Sequence, residues 1–534
     1  MLLGEALNRS AKVYPRKVAV VDLFGKYVPV GSWYTFEELR DRVNRLANGL
    51  LSLGLKEGDR VAVLSEARIP FVVSLLAVVK AGLVFTPVNP AFVGRELAYQ
   101  VNDSGARALI LDADQSKKVD EIRCQLDALE LLIGIGAGHG CVHDYETLIL
   151  ESPSSEPEAR VREEDLATLL YTSGTTGLPK GAMLTHRNWN ESALIFSVET
   201  RFLPHWGFLG VLPHFSSGGV GMSLFMVLRG ASQVWSDFEP LKVLRIIQEQ
   251  KIDFTMFAPT MTARLVNHPD IGKYDLSSLK GILTSAAPIA PELLKRASAI
   301  FGDVFVIPFG TTETALMGLI LQPEERALNG PLSKRLTSVG KTMVGYQTKV
   351  VDDDGKEVGP GGVGELVIKG DSVAKGYWNR PDASDFSDGW WYSGDLARVD
   401  EDGYIHIVDR KKDMILSGGM NIYPREVEDI LLAHPGVFLA AVIGVPDAEW
   451  GESVKAVVVP KEGARISEDE IVEFCKGRLA SYKKPRSVEI VSLAEMPLIA
   501  GGYKVLKREL RERYRQRHAE DKGEGVERWG AVEG

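Results

Sequence analysis

The chain has few cysteines, and they do not cluster. Only three occur among 534 residues, at Cys124, Cys141 and Cys475, which is too few and too scattered for a disulfide framework or a cysteine-ligated metal site. No stretch approaches the ~20 apolar residues that a membrane-spanning helix needs, and no basic segment followed by a long apolar run opens the chain. These absences predict a cytoplasmic protein without a membrane span or a secretory signal.

The chain also has no excess of positive charge. Its formal net charge is −10, which argues against nucleic-acid binding as the main activity. An acidic ligand such as ATP would need basic groups gathered locally, because the overall field repels it. Hydrophobic residues at 45% and charged residues at 25% are typical of a globular protein with a sizeable core.

The pattern of predicted secondary structure changes along the chain. Up to about residue 340, buried strand patterns such as 60–64 and 84–88 alternate with helical patterns such as 71–79, which predicts parallel sheets with helices on both faces. Further on, strand-like runs separated by Asp354-Gly355 and Asp402-Gly403 turns predict a small antiparallel barrel or sheet. After residue 413 the pattern is that of a compact α+β domain. It has strands near 437–445, 453–459 and 487–492 and helices near 424–433 and 467–480.

The segment Tyr171 to Gly181, with the sequence YTSGTTGLPKG, is rich in Gly, Ser and Thr and contains one lysine. Such a loop exposes backbone N–H groups and hydroxyls to an anion, as polyphosphate binding requires. It is not a Walker A loop, because Gly174 and Gly177 are too close and Lys180 is followed by glycine. The segment therefore predicts a nucleoside triphosphate site of another architecture.

Five further motifs follow in order. They are FGTTE at 309–313, WYSGD at 391–395, DRKKD at 409–413, GGMNIYPREVE at 418–428 and KVLKREL at 504–510. In this order and spacing, from roughly residue 10 to residue 515, the chain resembles the adenylate-forming enzymes: acyl-CoA synthetases, luciferases and peptide-synthetase adenylation domains. Within them it looks most like an acyl-CoA or aryl-CoA synthetase.

The resemblance implies a two-step reaction and a two-domain α/β fold. A carboxylate attacks the α-phosphate of ATP to give acyl-AMP and pyrophosphate, and the CoA thiol then displaces AMP. A large N-terminal domain (1–409), with parallel α/β subdomains and a small antiparallel barrel, would bind ATP and the acid. A hinge (410–412), a mobile α+β domain (413–518) and a disordered tail (519–534) would follow. The oligomeric state is open, and a homodimer is only an expectation from the resemblance.

The resemblance assigns the ATP site to several segments. It places the β- and γ-phosphates in the first loop, Mg²⁺ on Glu313 and Thr176, adenine against Phe309, and the ribose on Asp395 with Arg410. Lys180 would add positive charge at the departing pyrophosphate. The loop residues expected around the phosphates are Thr172, Ser173, Gly174, Thr175, Thr176 and Gly177. Ser285, Ala286 and Ala287 are expected to line adenine and the acyl pocket, and Gly310, Thr311 and Thr312 are expected to form the close-approach loop that flanks Glu313.

The second half-reaction draws on the C-terminal region. Lys412 falls at the hinge position of the family, and Gly418 and Gly419 would let the pantetheine arm pass close to backbone. Arg425 and the group 482–484 either meet CoA phosphates or form a solvated basic patch. Lys504 is the expected catalytic lysine, although Tyr503 stands before it where the family has glycine.

The acid pocket departs from the family pattern. The segment His214, Phe215, Ser216 and Gly218 should line it, with Ser216 where many members have histidine. His214 is expected to line the pocket rather than to act as a base. The absence of aspartate between Pro213 and Gly221 argues against an amino-acid substrate. Five apolar residues suggest either an apolar pocket or core packing: Phe208, Phe215, Met222, Phe225 and Met317.

The leading hypothesis is an ATP-dependent acid–CoA ligase. One alternative is an enzyme that delivers acyl-AMP to a separate carrier protein, which omission of CoA would distinguish. The other is a non-catalytic nucleotide- or acyl-binding relative, which carboxylate-dependent ATP–pyrophosphate exchange would exclude.

We expect Lys504→Ala to abolish adenylation but largely to spare thioester formation from supplied acyl-AMP, because the lysine neutralises charge that develops at the α-phosphate. Assays of the two half-reactions with the purified variant check this. Equal loss of both would contradict the assignment.

Overall fold

The computed structural model describes residues 1–66, 68–172, 179–285, 287–447, 449–498 and 505–521. The chain forms two compact units. The first comprises Met1–Ser285, Lys295–Lys349 and Val367–Ser393, and the second comprises Ala286–Leu294, Val350–Leu366 and Gly394–Gly534. The predicted domain boundaries and hinge stay predictions. The same holds for the cytoplasmic location and the homodimer.

Helices and strands alternate through the first unit, and strands dominate the later part of the chain. The helices are α1 (Leu3–Val13), α2 (Phe36–Ser52), α3 (Arg68–Lys80), α4 (Gly94–Ser104), α5 (Ser116–Ile122), α6 (Tyr145–Glu151), α7 (His186–Glu199), α8 (Ser217–Arg229), α9 (Pro240–Gln250), α10 (Pro259–Val266), α11 (Pro291–Phe301), α12 (Pro424–Leu432), α13 (Glu468–Cys475) and α14 (Lys507–Asp521). The strands up to the middle of the chain are β1 (Val18–Asp22), β2 (Ser32–Thr35), β3 (Arg60–Leu64), β4 (Val84–Pro87), β5 (Ala106–Asp112), β6 (Leu131–Ile135), β7 (His143–Asp144), β8 (Leu166–Thr172), β9 (Lys180–Thr185), β10 (Gly207–Gly210), β11 (Ser232–Trp235), β12 (Phe254–Phe257) and β13 (Gly281–Thr284). The remaining strands are β14 (Phe305–Phe309), β15 (Leu319–Leu321), β16 (Lys341–Thr342), β17 (Tyr346–Val351), β18 (Val363–Gly370), β19 (Phe386–Ser387), β20 (Trp390–Val399), β21 (Ile405–Arg410), β22 (Ile415–Ser417), β23 (Met420–Ile422), β24 (Val437–Asp447), β25 (Gly451–Pro460) and β26 (Ser487–Ile490). No helix in the described ranges is long and apolar enough to cross a membrane.

A seven-stranded sheet in the first unit has the order β7-β6-β5-β3-β4-β8-β9. All neighbours are parallel except the last pair, β8 and β9. Every residue of α3 is buried, and β3 is buried after its first residue. Continuous apolar runs such as these are typical of a parallel sheet covered on both faces, so the predicted α/β architecture is confirmed.

A nine-stranded sheet has the strand order β16-β15-β14-β13-β12-β10-β11-β1-β2. Its central pairs from β14 to β1 are parallel, and antiparallel strands flank them. From β10 the chain goes to β11 on one side and then to β12 on the other. The carboxyl ends of β10 and β12 therefore flank a topological switch point, where open α/β sheets bind ligands.

Two smaller sheets account for the change in sequence pattern after residue 340. One is five-stranded with the order β17-β18-β20-β19 and β21 paired to β20, and it corresponds to the predicted antiparallel sheet. The other, in the second unit, has the order β23-β22-β25-β24 with β26 paired to β25. The helix predicted near 467–480 ends earlier, at Cys475, because Lys476 is extended and Gly477 has a left-handed φ of 74°.

A cluster of ion pairs fixes α14 within the second unit. The Lys507 Nζ lies 2.8 Å from Glu428 Oε1 on α12, and Arg511 pairs with Asp413 at 2.7 Å. Burial raises the pKa of Glu428. Burial acts to lower the pKa of Lys507, but the neighbouring carboxylates outweigh it and the pKa is raised. The helix that begins just after Lys504 is thus anchored by charge to α12 and to the segment after β21.

We expect Lys507→Met to destabilise the protein by about 2–3 kcal/mol, because it leaves the Glu428 carboxylate desolvated and unpaired. Thermal and urea unfolding measure the loss. Adding Glu428→Gln should recover part of it. Lys483→Met, which breaks the more exposed pair with Glu426, is the matched control and should cost less than about 1 kcal/mol; equal losses in the two variants would contradict the expectation.

Candidate active site

Three of the predicted site segments follow strands of the nine-stranded sheet that end at one common edge. Because β10, β12, β13 and β14 run parallel, their carboxyl ends share that edge. Ser285 directly follows β13, and its N–H donates to the Phe257 carbonyl at the end of β12 over 3.3 Å. The segment 310–313 follows β14, and 214–218 follows β10. Ala287 belongs to the second unit, and Ala286 lies outside the described residues.

The loop after β14 folds back tightly on itself. A Cβ on Gly310 would lie 2.0 Å from the carbonyl oxygen of Leu316, so only glycine fits there without a backbone shift. Ala315 and Leu316 both have positive φ, 47° and 80°, a conformation that costs free energy and is common at ligand sites. Phe309 and Thr311 are half-buried at the start of this loop. The loop holds Glu313 in a defined place.

The Glu313 side chain is turned inward. The residue is 7% exposed, and its Oε1 accepts a 2.7 Å hydrogen bond from the Tyr377 hydroxyl. Its carbonyl accepts from the Ala374 N–H at 2.7 Å. Burial, followed by the Glu313 carboxylate, raises the pKa of Tyr377, so the hydroxyl stays protonated as a donor. One carboxylate oxygen is therefore held by the tyrosine hydroxyl.

Lys180, the first residue of β9, shares the same tyrosine. Its Nζ lies 4.8 Å from the centroid of the Tyr377 ring and forms a 3.0 Å ion pair with Asp385 Oδ2. Thr172, at the end of β8, donates from its hydroxyl to the Lys180 carbonyl at 3.4 Å. The phosphate-loop residues Ser173, Gly174, Thr175, Thr176 and Gly177 lie outside the described residues, as do Tyr503 and Lys504.

His214 lies within the core. It is 1% exposed, and its ring stacks on Phe71 with centroids 5.0 Å apart. Its centroid is 3.8 Å from that of Trp235, and its Nδ1 is 3.3 Å from Arg68 Nη1. Burial, and then the charge of Arg68, hold the pKa of His214 well below its usual range. The ring is therefore neutral and does not act as a surface-accessible base.

Ser216 has a structural task as well. Its hydroxyl accepts from the Gly219 N–H at 3.1 Å as the N-cap of α8 and donates to the Pro213 carbonyl at 2.7 Å. Phe215 is half-buried and Gly218 is buried. Four of the five apolar residues considered for the pocket are core residues, since Phe208, Met222, Phe225 and Met317 are at most 2% exposed.

Asp395 and Arg410 face each other across β20 and β21. Arg410 Nε lies 2.7 Å from Asp395 Oδ1, and the aspartate side chain is 5% exposed. The exposed Lys412 follows in a turn, where the Asp413 N–H donates to the Arg410 carbonyl at 2.9 Å. The pair predicted to bind ribose is thus formed within the second unit.

Two family models match most of the chain. The model described as AMP-binding enzyme matches residues 7–378, and the model of the AMP-binding enzyme C-terminal domain matches residues 426–502. The chain belongs to the AMP-binding enzyme family. The predicted resemblance to adenylate-forming enzymes is therefore confirmed.

Named relatives of this AMP-binding enzyme are CoA ligases. A feruloyl-CoA synthase of Amycolatopsis sp. is 40% identical over 96% of this chain and 99% of its own. A long-chain-fatty-acid–CoA ligase of Salmonella typhimurium is 33% identical over 92% and 91%. Among solved structures, ATP-bound MatB from Rhodopseudomonas palustris superposes with a TM-score of 0.84 at 31% identity, covering 97% of this chain and 100% of that one. The anthranilate CoA ligase AuaEII with anthranoyl-AMP gives 0.88 at 28% identity, covering 97% and 98%.

The glycine turn between β22 and β23 has a neighbour that sequence reasoning missed. Gly418 and Gly419 have φ of 56° and 78°, and a Cβ on Gly418 would lie 2.5 Å from the Trp450 ring. Arg486 lies over that ring at 4.7 Å, and both side chains are exposed. No local sequence pattern could indicate this contact, because it depends on the pairing of Ser417 with the distant Gly451. Arg425 instead donates to the Ile407 carbonyl at 2.9 Å, which favours a structural role.

We expect Asp385→Asn to tighten ATP binding about fivefold, equivalent to ~1 kcal/mol. The Lys180 charge would then act on phosphate without a competing carboxylate. Titration calorimetry with ATP measures the Kd. Asp353→Asn, which removes the same charge from a partner of Lys411, is the control and should leave the Kd unchanged. Weaker ATP binding by Asp385→Asn would show that the pair positions the lysine instead.

Proposed function

We propose that the chain is an AMP-forming carboxylic acid–CoA ligase whose acid is aromatic, of the hydroxycinnamate class. The observation that carries the ligase assignment is the meeting of Glu313 and Lys180 on one side chain, Tyr377. A buried carboxylate and a lysine beside the phosphate loop are the groups that in-line attack on a nucleoside triphosphate requires. The names of the relatives support CoA as the acceptor.

The first half-reaction joins the carboxylate oxygen of the acid to the α-phosphorus of ATP and breaks the bond to the β-phosphate. Lys180 would leave Asp385 and stabilise the departing pyrophosphate. Asp395, braced by Arg410 at 2.7 Å, would hold the ribose hydroxyls. Lys504 would neutralise the α-phosphate, so that each basic group serves a different part of the nucleotide.

Mg²⁺ fits the residues present. The described part of the chain holds no group of three or more His, Cys, Asp or Glu that could bind a metal ion without help. Mg²⁺ with ATP usually takes one or two protein oxygens, the others coming from phosphate and water. Glu313 would supply one oxygen, with Thr176 as the second. When bound, the ion would reduce the negative charge of the phosphates.

The second half-reaction breaks the acyl–phosphate bond, forms the thioester and releases AMP. We place the pantetheine arm along Gly418 and Gly419, because glycine backbone lets a chain pass closely. Trp450 would flank it, and Arg486 would meet a CoA phosphate. We assign CoA binding to these two exposed residues rather than to Arg425, because the Arg425 guanidinium donates to the Ile407 carbonyl.

The acid class rests on the comparisons. The feruloyl-CoA synthase is more similar to this chain than the fatty-acid ligases are, and an anthranilate ligase superposes over nearly the whole chain. An aromatic ring is flat, so it can lie against the small residues around Gly218 without the long apolar tunnel that an extended acyl chain requires.

A panel of acids tests both levels of the proposal. Hydroxycinnamates, benzoates and fatty acids are assayed with Mg·ATP for carboxylate-dependent ATP–pyrophosphate exchange, and with CoA for thioester and AMP. We expect kcat/KM for ferulate or coumarate to exceed that for any fatty acid by at least about tenfold, or ~1.4 kcal/mol. Preference for fatty acids would overturn the acid class. Absence of exchange with every acid would overturn the ligase, and full turnover without CoA would indicate another acceptor.

A further inference from the structure

A short segment, 374–378, connects the two parts of the phosphate site. The N–H groups of Lys375, Trp378 and Ala374 donate to the carbonyls of Met183, Gly181 and Glu313, at 3.0, 2.8 and 2.7 Å respectively. Met183 in turn donates to the Gly376 carbonyl at 3.0 Å. The segment thus pairs antiparallel to β9 beside Lys180 and also holds the backbone of Glu313.

The Tyr377 side chain repeats this connection. Its hydroxyl bonds to Glu313 at 2.7 Å, and its ring lies 4.8 Å from the Lys180 Nζ. Phe386 packs edge-on against the ring with centroids 5.3 Å apart, and Tyr377 is 6% exposed. The carboxylate of Glu313 therefore meets the hydroxyl of Tyr377, and the ammonium of Lys180 lies over the face of the same buried ring.

Anchoring of the segment does not explain this arrangement. Backbone hydrogen bonds already hold the segment, and the Trp378 indole donates to the Asp103 carbonyl at 3.0 Å. The buried Tyr145 hydroxyl, by contrast, donates to the backbone carbonyl of Pro70 at 3.0 Å. The Tyr377 hydroxyl instead bonds to the carboxylate that our proposed function assigns to the metal.

We propose that Tyr377 is a positioning residue for adenylation. Its hydroxyl holds Glu313 Oε1, which fixes the carboxylate so that Oε2 is directed to one cation position. Its ring face holds the Lys180 ammonium near the same place by cation–π attraction. The segment 374–378, which pairs with β9, thereby sets the distance between the proposed metal ligand Glu313 and the lysine Lys180. This inference rests on the proposed function.

Tyr377→Phe removes the hydroxyl and retains the ring, so it tests the bond to Glu313 alone. We expect the Mg²⁺ concentration for half-maximal ATP–pyrophosphate exchange to rise about tenfold, with the KM for the acid unchanged. Calorimetry should show the same rise in the Mg²⁺ needed for ATP binding, independent of turnover. Tyr145→Phe, which loses the buried hydroxyl bonds to the Pro70 carbonyl and from the Ser74 hydroxyl, is the control and should lower the melting temperature without changing the Mg²⁺ requirement.

A double-mutant cycle separates positioning from general damage. In a Glu313→Gln background, Tyr377→Phe should have little further effect on the Mg²⁺ requirement, because its partner is already altered. Additive effects, or an unchanged Mg²⁺ requirement in Tyr377→Phe, would overturn the inference.

Two outcomes keep the tests distinct. If the unsubstituted protein shows no carboxylate-dependent exchange, the proposed function fails; if it is active and Tyr377→Phe behaves identically, only the role of Tyr377 fails. Should Tyr377→Phe not fold, Glu313→Asp tests the same bond from the other side, since the shorter carboxylate withdraws from the hydroxyl. It should show the same tenfold shift, and no shift would overturn the inference.

Discussion

The parallel pairing of β10, β12, β13 and β14 is the constraint on which the site depends. Backbone hydrogen bonds between parallel strands bring their carboxyl ends to a single edge. The loops that follow then meet, although they are far apart in sequence. The crossovers that follow β10 and β12 leave in opposite directions, and open α/β sheets bind ligands at such a switch point. The positions of Ser285 and of the loop 310–313 follow from this topology.

Charge has to be concentrated locally in a chain whose net charge is −10. The structure holds such basic groups in place with ion pairs. These are Lys180 with Asp385, Arg410 with Asp395, and Lys507 with Glu428. The pairs differ in purpose. The Lys507 pair lies inside the second unit and stabilises it, whereas the proposed function has Lys180 exchange Asp385 for phosphate.

Much of the fold could be predicted because its signals are local. Apolar runs such as 60–64 and turns such as Asp402-Gly403 indicate strands and their ends wherever they occur. The motif at 309–313 could be placed on a loop for the same reason, and the tight approach of Gly310 to Leu316 explains the glycine.

Other features depend on partners that no local pattern reveals. His214 is buried because Phe71 from α3 and Trp235 from β11 enclose it, and nothing beside it in sequence indicates either contact. Tyr377 reads as an ordinary aromatic residue until the pairing of its segment with β9 brings it to Glu313. Trp450 likewise reaches Gly418 only through the pairing of β22 with β25.

In the proposed function, the counter-ion of Lys180 would also affect how tightly pyrophosphate is held as a product. A lysine that waits unpaired in a partly buried site would gain its whole electrostatic interaction when pyrophosphate appears, and release would then be slow. A lysine already paired with Asp385 exchanges one anion for another, so the net gain is only the difference between phosphate and carboxylate. Because catalysis depends on interactions that are stronger in the transition state than in the bound ground states, such an exchange favours turnover. Asp385 thus moderates the same charge that the phosphate loop requires.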